Sequence, residues 1–130
     1  MSSSPQTNQH LPLVSIILAT YNRAHTIVRA VESVLNQTYK NFELIIIDDG
    51  STDNTLDILK KYDDPRIRII IHETNKGVTA AKNSGFNEIR GEWFGTFDSD
   101  DELKPYAIET LMNIPLNLDN KITSVIGNCI

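Results

Sequence analysis

Four short apolar runs alternate along this sequence with stretches in which apolar residues recur every three or four positions. The runs are rich in Ile, Val, Leu and Phe and occupy residues 13–19, 42–47, 67–71 and 93–97. Runs of this length and composition are typical of strands buried on both faces of a sheet. Because parallel neighbours need helical crossovers on the faces of their sheet, the alternation predicts a three-layer α/β/α domain with a mainly parallel sheet.

The stretches between the runs carry the patterns of four helices. The first is predicted from Thr26 to about Gln37, where five apolar residues form one stripe. The second is predicted to be capped by Ser51, and the fourth to extend from Pro105 to Met112. The third is predicted to end at Gly91, with an inner face made of Val78, Ala81, Gly85 and Ile89. Gly85 is expected to allow a close approach to the sheet.

The two ends of the sequence differ from its middle. Residues 1–12 are rich in Ser, Gln, Asn and Pro without periodicity, so we predict a disordered tail followed by one domain at residues 13–130. Residues 123–130 are typical of one more strand. Since the sequence ends inside that predicted strand, without a closing helix, we expect a truncated domain.

Composition excludes several classes of protein. The net charge of the 130 residues is -5 and the basic residues are scattered, which argues against a nucleic-acid-binding surface. Cys129 is the single cysteine, so an internal disulfide and a cysteine-based metal site are excluded. No apolar run is long enough to be a signal peptide or to span a membrane, and the predicted location is cytoplasmic.

Polar residues follow each of the first four predicted strands. In a parallel sheet these loops open at one edge, outside the carboxyl ends of the strands, where ligands bind. Turns also prefer Asp, Asn and Gly for conformational reasons alone. The residues in question are Thr20, Tyr21 and Asn22, then Asp48, Asp49 and Gly50, then Asn75 to Gly77, and finally Asp98 to Asp101. Dinucleotide and P-loop fingerprints are absent from the sequence.

The last of these loops holds three carboxylates within four residues. If the segment stays extended, Asp98 and Asp100 point the same way and suit Mg²⁺ or Mn²⁺. An acidic, solvated turn is the simplest alternative. A calcium loop would need Gly where Leu103 stands, and an entering helix before Asp98. A phosphatase-like nucleophile would follow the first strand of its domain rather than the fourth, which also weighs against a phosphotransfer domain.

Taken together, these motifs resemble family 2 glycosyltransferases in order and spacing. The matching segments are Val14–Arg23, Asp48–Asp53, Asn75–Gly85 and Asp98–Pro105, within about residues 13–112. The resemblance implies the GT-A fold and a nucleotide-diphosphate sugar, most simply a UDP-sugar, as the donor. It also implies that this chain is the N-terminal, donor-binding part and that the acceptor half is missing.

The resemblance further implies roles for individual residues. Thr20 and Tyr21 would line the base and ribose, and Asp49, with Asp48 beside it, would receive the base. This sequence has Lys82 where the family usually has Arg. Lysine keeps the positive charge but lacks the planar guanidinium group, which can make two parallel hydrogen bonds. The implied donor-binding set is Thr20, Tyr21, Asn22, Asp48, Asp49, Asn75, Gly77, Lys82, Asp98 and Ser99. The implied ligands of Mn²⁺ or Mg²⁺ are Asp98, Asp100 and Asp101.

The reaction implied by the resemblance is inverting transfer to a hydroxyl of a saccharide or lipid-linked acceptor. It would take place in the cytoplasm or at the inner face of the membrane. No residue of this sequence matches the catalytic base, which is expected after Ile130, so we expect weak nucleotide binding and little or no transfer. A non-catalytic nucleotide-sugar-binding module or inactive fragment is the alternative. His25 and His72 have no motif around them and are predicted to be loop residues.

Overall fold

The computed structural model describes residues 11–113, and four strands alternate with four helices within that range. The strands are β1 (Val14–Thr20), β2 (Phe42–Asp49), β3 (Ile67–His72) and β4 (Trp93–Asp98). The helices are α1 (Ile27–Leu35), α2 (Thr55–Leu59), α3 (Val78–Phe86) and α4 (Ala107–Met112). The predicted alternation is therefore confirmed. None of these helices is both long enough and apolar enough to cross a bilayer.

The four strands form one sheet in the order β3-β2-β1-β4, and each of its pairings is parallel. Thr20 of β1 pairs with Asp48 of β2, so these strands end level with each other. Asp49 pairs with His72 of β3, and Asp98 of β4 pairs with residue 19 of β1. The polar residues that follow the four strands consequently meet at one edge, as predicted.

Both faces of the sheet are covered by helices. On one face Ile16, Leu18 and Leu44 pack with residues of α1, α2 and α4. On the other face Ile17 and Ile45 pack against α3. All eight residues of β2 are buried, which explains why its sequence is apolar up to the two carboxylates except at Glu43.

Gly85 lets α3 lie against the sheet. A Cβ at this position would stand 2.7 Å from Ile17 Cγ2 and 2.9 Å from Ile47 Cδ1. Carbon atoms pack best at about 3.5–4.0 Å, so the predicted close approach is confirmed. The prediction for Val78 is wrong, because this side chain is 59% exposed. Val78 is the first residue of α3 and lines the cleft at the carboxyl edge instead of facing the sheet.

The second helix starts later than predicted. It begins at Thr55, with Asn54 as its N-cap residue, so the cap predicted at Ser51 is wrong. The Ser51 hydroxyl instead accepts a hydrogen bond from the N–H of Asn22 at 2.9 Å. A helix of five residues is not stable by itself. Burial of Leu59, which contributes about 1.5–3 kcal/mol, holds it against the core.

Several element boundaries differ from the prediction. Asp48 and Asp49 are the last residues of β2, and Asp98 is the last residue of β4, because strand pairing continues into the acidic positions. The third helix ends at Phe86, ahead of Gly91. Most of the predicted tail and the strand predicted at residues 123–130, with Cys129, lie outside the described residues. The domain limits stay a prediction.

A buried polar cluster ties the strands together at the opposite end of the sheet. Glu43, 7% exposed, accepts hydrogen bonds from Ser15 Oγ at 2.5 Å, Arg68 Nη2 at 3.0 Å and the N–H of Arg90 at 2.9 Å. The Ser15 hydroxyl accepts a further bond from the N–H of Gly91. Burial alone would raise the pKa of Glu43, but the bonds from Ser15, Arg90 and Arg68 hold it below its usual value. An ionised carboxylate therefore joins β1, β2, β3 and the turn before β4.

Candidate functional site

A cleft opens at the carboxyl edge of the sheet, where the loops after the four strands meet. Its volume is about 490 Å³, which is within the range of small-molecule sites. The predicted site residues that line it are Thr20, Tyr21, Asp49, Asn75, Gly77, Asp98, Ser99 and Asp100. Asn22, Asp48, Lys82 and Asp101 are not among its lining residues within the described range. The lining also includes four residues that sequence reasoning missed, Ala19, Arg23, Val78 and Ala81.

Asp49 organises the loop that follows β3. Its Oδ1 accepts a hydrogen bond from the N–H of Lys76 and its Oδ2 one from the N–H of Gly77, both at 2.9 Å. The side-chain amide of Asn75 donates to the main-chain oxygen of Asp49 at 3.3 Å. Burial alone would raise the pKa of Asp49, but hydrogen bonds from His72, Lys76 and Gly77 hold it below its usual value. An ionised carboxylate therefore lies in the wall of the cleft.

His72 is a buried strand residue, so its predicted place in a loop is wrong. Pairing with Asp49 carries β3 one residue further and turns the imidazole toward α3, leaving it 8% exposed. Its Nδ1 lies 2.8 Å from Asp49 Oδ1, and its Nε2 lies 2.8 Å from Ser84 Oγ. The period of two along β3, which puts Arg68 and His72 on one face, was a signal that could have found it. His25 is exposed in the loop after β1, as predicted.

Gly50 occupies a position that only glycine fits. Its φ is +77°, and a Cβ there would stand 2.5 Å from Asn75 N and from the carbonyl carbon of Thr74. These are backbone atoms that cannot rotate away. We expect Gly50→Ala to lower the free energy of unfolding by about 2–4 kcal/mol, because the alanine would combine backbone strain at a positive φ with overpacking. Urea denaturation measures the loss.

Gly77 provides the matched control for Gly50. It also has a positive φ, of +99°, but a Cβ there would meet nothing within 4 Å. Gly77→Ala should therefore show the strain alone, about 1–3 kcal/mol, because a φ of 99° with a ψ of 159° is a conformation that few residues other than glycine adopt. Equal losses for the two variants would contradict the packing argument.

Asn22 ties the loops after β1 and β2 together. Its Oδ1 accepts hydrogen bonds from the N–H groups of Thr52 at 2.7 Å and Asp53 at 3.2 Å. Its Nδ2 donates to Thr52 Oγ1 at 3.2 Å. The residue adopts a φ of +52°, which asparagine tolerates better than most residues. These bonds occupy the Asn22 side chain, so the structure does not bring it into the cleft, and its contact with a donor stays a prediction.

Two buried polar atoms lie at paired positions of β1 and β2. Asp48 is 1% exposed and Thr20 is 3% exposed. Asp48 Oδ2 accepts a hydrogen bond from the N–H of Ser51 at 3.4 Å, but Asp48 Oδ1 and Thr20 Oγ1 have no partner within residues 11–113. Such atoms are rare in folded proteins, because each costs free energy when it is left unpaired. Both atoms therefore keep an unused hydrogen-bonding capacity among the described residues.

Three carboxylates converge immediately after β4. One oxygen from each of Asp98, Asp100 and Asp101 lies within 4.8 Å of the other two. The segment does not stay extended: the N–H of Asp101 donates to the Asp98 carbonyl at 3.0 Å, and this turn produces the convergence. Burial raises the pKa of Asp101, and the charges of Asp100 and Asp98 raise it further. Crowded carboxylate oxygens are the donor set that Mg²⁺ and Mn²⁺ prefer.

The acidic turn is anchored on α1. Thr26 Oγ1 donates to the Ser99 carbonyl at 3.1 Å, and Arg29 Nη2 donates to the Asp100 carbonyl at 3.3 Å. Arg29 Nε also lies 3.7 Å from Glu102 Oε1. Contacts to a helix limit the freedom of the turn and place its carboxylates beside the cleft.

The geometry also weighs the alternatives for this acidic segment. A strand precedes Asp98, whereas a calcium loop follows a helix. Leu103 is 3% exposed, so a buried apolar side chain stands where that loop requires glycine. Because β4 is the fourth strand within residues 11–113, a phosphatase-like nucleophile is also disfavoured.

Comparison with known proteins gives a family match over most of the chain. Residues 15–124 match the model of the family described as glycosyl transferase family 2. The chain is 46% identical over 109 residues to chondroitin synthase from Escherichia coli, across 82% of this chain and 16% of that protein. It is 40% identical over 116 residues to the UDP-Glc:α-D-GlcNAc-diphosphoundecaprenol β-1,3-glucosyltransferase WfgD from Escherichia coli, across 89% of this chain and 45% of that protein. The chain therefore spans less than half the length of either relative.

A solved structure shows the same fold. TarS 1–349 from S. aureus, in complex with UDP-GlcNAc, is similar to this chain with a TM-score of 0.72 and 30% identity. The similarity covers 76% of this chain and 30% of that one. The predicted GT-A type of α/β fold is thereby confirmed.

Proposed function

This chain belongs to glycosyl transferase family 2, and from that premise we propose that it binds a nucleotide-diphosphate sugar for transfer of the sugar to an acceptor hydroxyl. One observation carries the proposal. A single cleft is lined by the Asp49 carboxylate on one side and by Asp98 and Asp100 of the acidic turn on the other. Such a cleft suits a donor that has a nucleobase at one end and a diphosphate at the other.

The base and ribose are proposed to lie beside β1 and β2. The ionised carboxylate of Asp49 offers an acceptor to an N–H of the base. Tyr21 is 41% exposed and presents an aromatic ring to the cleft, while Thr20 Oγ1 is open to a hydrogen bond. Asn75 and Gly77, which donate hydrogen bonds to Asp49, also line the cleft. A UDP-sugar is the proposed donor, and the likeness to TarS in complex with UDP-GlcNAc supports this choice.

The diphosphate is proposed to lie beside the acidic turn. Asp98 and Asp100, with Asp101 as a further ligand, would hold Mn²⁺ or Mg²⁺, since one oxygen of each lies within 4.8 Å of the other two. When bound, the ion would act as a Lewis acid and neutralise charge that develops on the leaving diphosphate. Lys82 of α3 would add one positive charge near the phosphates, as a single ammonium group. Ser99, which lines the cleft between the two acids, would contact the donor there.

We propose that the transfer inverts the anomeric centre by direct displacement. The acceptor hydroxyl would attack the anomeric carbon while the diphosphate leaves, and a base must then accept the hydroxyl proton. Within residues 11–113 the carboxylates that line the cleft are Asp49, Asp98 and Asp100. The first is bonded to the loop after β3, and the other two are assigned to the cation. The base is therefore assigned to none of these residues.

The same observation favours a second candidate function. A cleft that binds the donor without a base would make the chain a non-catalytic nucleotide-sugar-binding module. The two candidates agree on the ligand and differ only in turnover.

A saccharide or lipid-linked acceptor completes the first proposal. The names of the relatives, a chondroitin synthase and a glucosyltransferase acting on a diphosphoundecaprenol-linked sugar, support an acceptor of this kind. We accordingly propose a cytoplasmic site of action, which for a lipid-linked acceptor is the inner face of the membrane.

Calorimetric titration of the chain with UDP, GDP and TDP, each with and without Mn²⁺, tests the proposal. We expect weak binding of one nucleotide that strengthens when the metal is present. A folded chain that binds none of the three would contradict donor binding. Incubation with UDP-GlcNAc and a saccharide acceptor then separates the candidates, because only the transferase should move the sugar to the acceptor hydroxyl and release UDP.

A further inference from the structure

We propose that His72 is a positioning residue for base recognition: anchored by Ser84, it orients the Asp49 carboxylate so that the cleft prefers nucleobases with a ring N–H donor. The inference rests on the proposed function, since it concerns the base of the donor. A chain of hydrogen bonds, buried at Asp49–His72 and partly buried at His72–Ser84, links β2, β3 and α3 and reaches the wall of the cleft.

The hydrogen bonds of His72 fix both the tautomer and the orientation of its ring. The ionised carboxylate of Asp49 has no proton to donate, so at the 2.8 Å contact with Asp49 Oδ1 it is Nδ1 of His72 that carries the proton and donates it. In the neutral ring Nε2 is then an acceptor, and the hydroxyl of Ser84 donates to it at 2.8 Å. A flip of the ring would break both bonds in a site that is 8% exposed. His72 is therefore a fixed donor aimed at Asp49.

The bonds to Asp49 leave one direction open for a ligand. Oδ1 accepts from His72 and from the N–H of Lys76, whereas Oδ2 accepts only from the N–H of Gly77 among the described residues. Each carboxylate oxygen has two lone pairs, so Oδ2 keeps one. A single acceptor of this kind favours the N3–H of uracil or the N1–H of guanine. It disfavours cytosine, because cytosine N3 presents a lone pair at that position and the N–H donor of cytosine is the exocyclic N4 amino group instead.

His72 also helps to keep Asp49 ionised. Burial raises the pKa of Asp49, and among the groups that oppose burial the largest contribution comes from the hydrogen bond of His72. Lys76 and Lys82 are the cations on the loop and helix that follow β3. Arg23, Asp98 and Asp100 are the other charged residues that line the cleft. Without His72, Asp49 would take up a proton at a higher pH and lose its preference for an N–H donor.

Hydrogen bonds that run from Ser to His to Asp are also found in hydrolytic triads, in which the serine is a nucleophile. Ser84 lies inside α3 and is not among the lining residues of the cleft within the described range. It therefore acts as an anchor for the imidazole.

Titrations with UDP and CDP at constant Mn²⁺ test this role, because the two nucleotides differ only at the edge of the base. We expect the natural chain to prefer UDP by about tenfold, the effect of roughly one good hydrogen bond. His72→Leu should abolish the preference and should move the loss of UDP affinity on acidification to a higher pH. His72→Asn should restore part of the preference, since its amide can donate from near the position of Nδ1.

Two further variants separate positioning from folding. Ser84→Ala keeps the imidazole in place and should reduce the preference about threefold, so it carries the test if His72→Leu does not fold. Ser15→Ala removes a buried serine hydrogen bond at the far end of the sheet and should lower stability without changing the UDP to CDP ratio.

The outcomes separate this inference from the proposed function. A folded natural chain that binds neither UDP nor CDP would overturn the proposed function, and this inference with it. Binding of UDP with an unchanged UDP to CDP ratio and pH profile in His72→Leu and Ser84→Ala would overturn the role of His72 alone. Equal affinity of the natural chain for UDP and CDP would do the same.

Discussion

Asp100→Asn is expected to lower the affinity for UDP in the presence of Mn²⁺ by about a hundredfold, since carboxylate number sets the affinity of such sites. Asparagine keeps the size of the side chain but removes one of three charges whose oxygens lie within 4.8 Å of one another. With one charge gone, the remaining two carboxylates hold the cation weakly, and the diphosphate loses the charge that binds it. Calorimetric titration of both chains with UDP and Mn²⁺ measures the change.

Two controls accompany the Asp100→Asn variant. Without Mn²⁺ the two chains should bind UDP about equally, because the lost carboxylate acts through the metal. Asp63→Asn makes the same substitution at an exposed position between α2 and β3, away from the cleft, and should leave Mn²⁺-dependent binding unchanged. If UDP binding by Asp100→Asn depended on Mn²⁺ as strongly as UDP binding by the natural chain, the acidic turn would not be part of the proposed site.

Glu43→Ala is expected to lower the free energy of unfolding by about 2–4 kcal/mol at neutral pH, because three donors lose one charged and buried acceptor while Arg68, 24% exposed, keeps its pairing with Glu88. The change leaves the guanidinium of Arg68, the hydroxyl of Ser15 and the N–H of Arg90 without their shared acceptor. Urea denaturation measures the loss. Because the cluster lies at the opposite end of the sheet from the cleft, stability rather than nucleotide specificity should change.

Glu88 is the matched control for Glu43, since both carboxylates pair with Arg68. Glu88 Oε1 lies 3.1 Å from Arg68 Nη1, but its side chain is 49% exposed, against 9% for Glu43. Exposed pairs contribute little, so Glu88→Ala should cost under about 1 kcal/mol. Similar losses for the two variants would show that burial does not strengthen the Glu43 pair.

The contribution of Glu43 should also depend on pH in a defined direction. The pKa of Glu43 is lower in the folded chain than in the unfolded chain. Its stabilisation is therefore complete above the unfolded value of about 4.3 and is lost as the pH falls through the folded value. The difference in unfolding free energy between the natural chain and Glu43→Gln should be constant from about pH 6 upward and should shrink below about pH 4. A difference that widened on acidification would contradict the linkage.

The sequence by itself determined the architecture and the edge at which the site lies. β2 reads Phe-Glu-Leu-Ile-Ile-Ile before its two carboxylates, and a strand of that kind is stable only when it is covered on both faces. Parallel strands then have to end together, so Asp49 and Asp98 share an edge whatever the loops do. Periodicity and burial decide these features, and both can be read from the order of apolar and polar residues.

Only the tertiary structure decided which polar groups bond to one another. His72 meets Asp49 and Ser84, Asn22 holds the Ser51–Asp53 segment, and Glu43 binds Ser15 and Arg68. These partners are up to 31 residues apart in sequence, and each pair depends on strand register or on the path of a loop. A hydrogen bond needs its atoms placed to within a few tenths of an ångström, a precision that the packing of the whole domain supplies and a pattern of residue types does not.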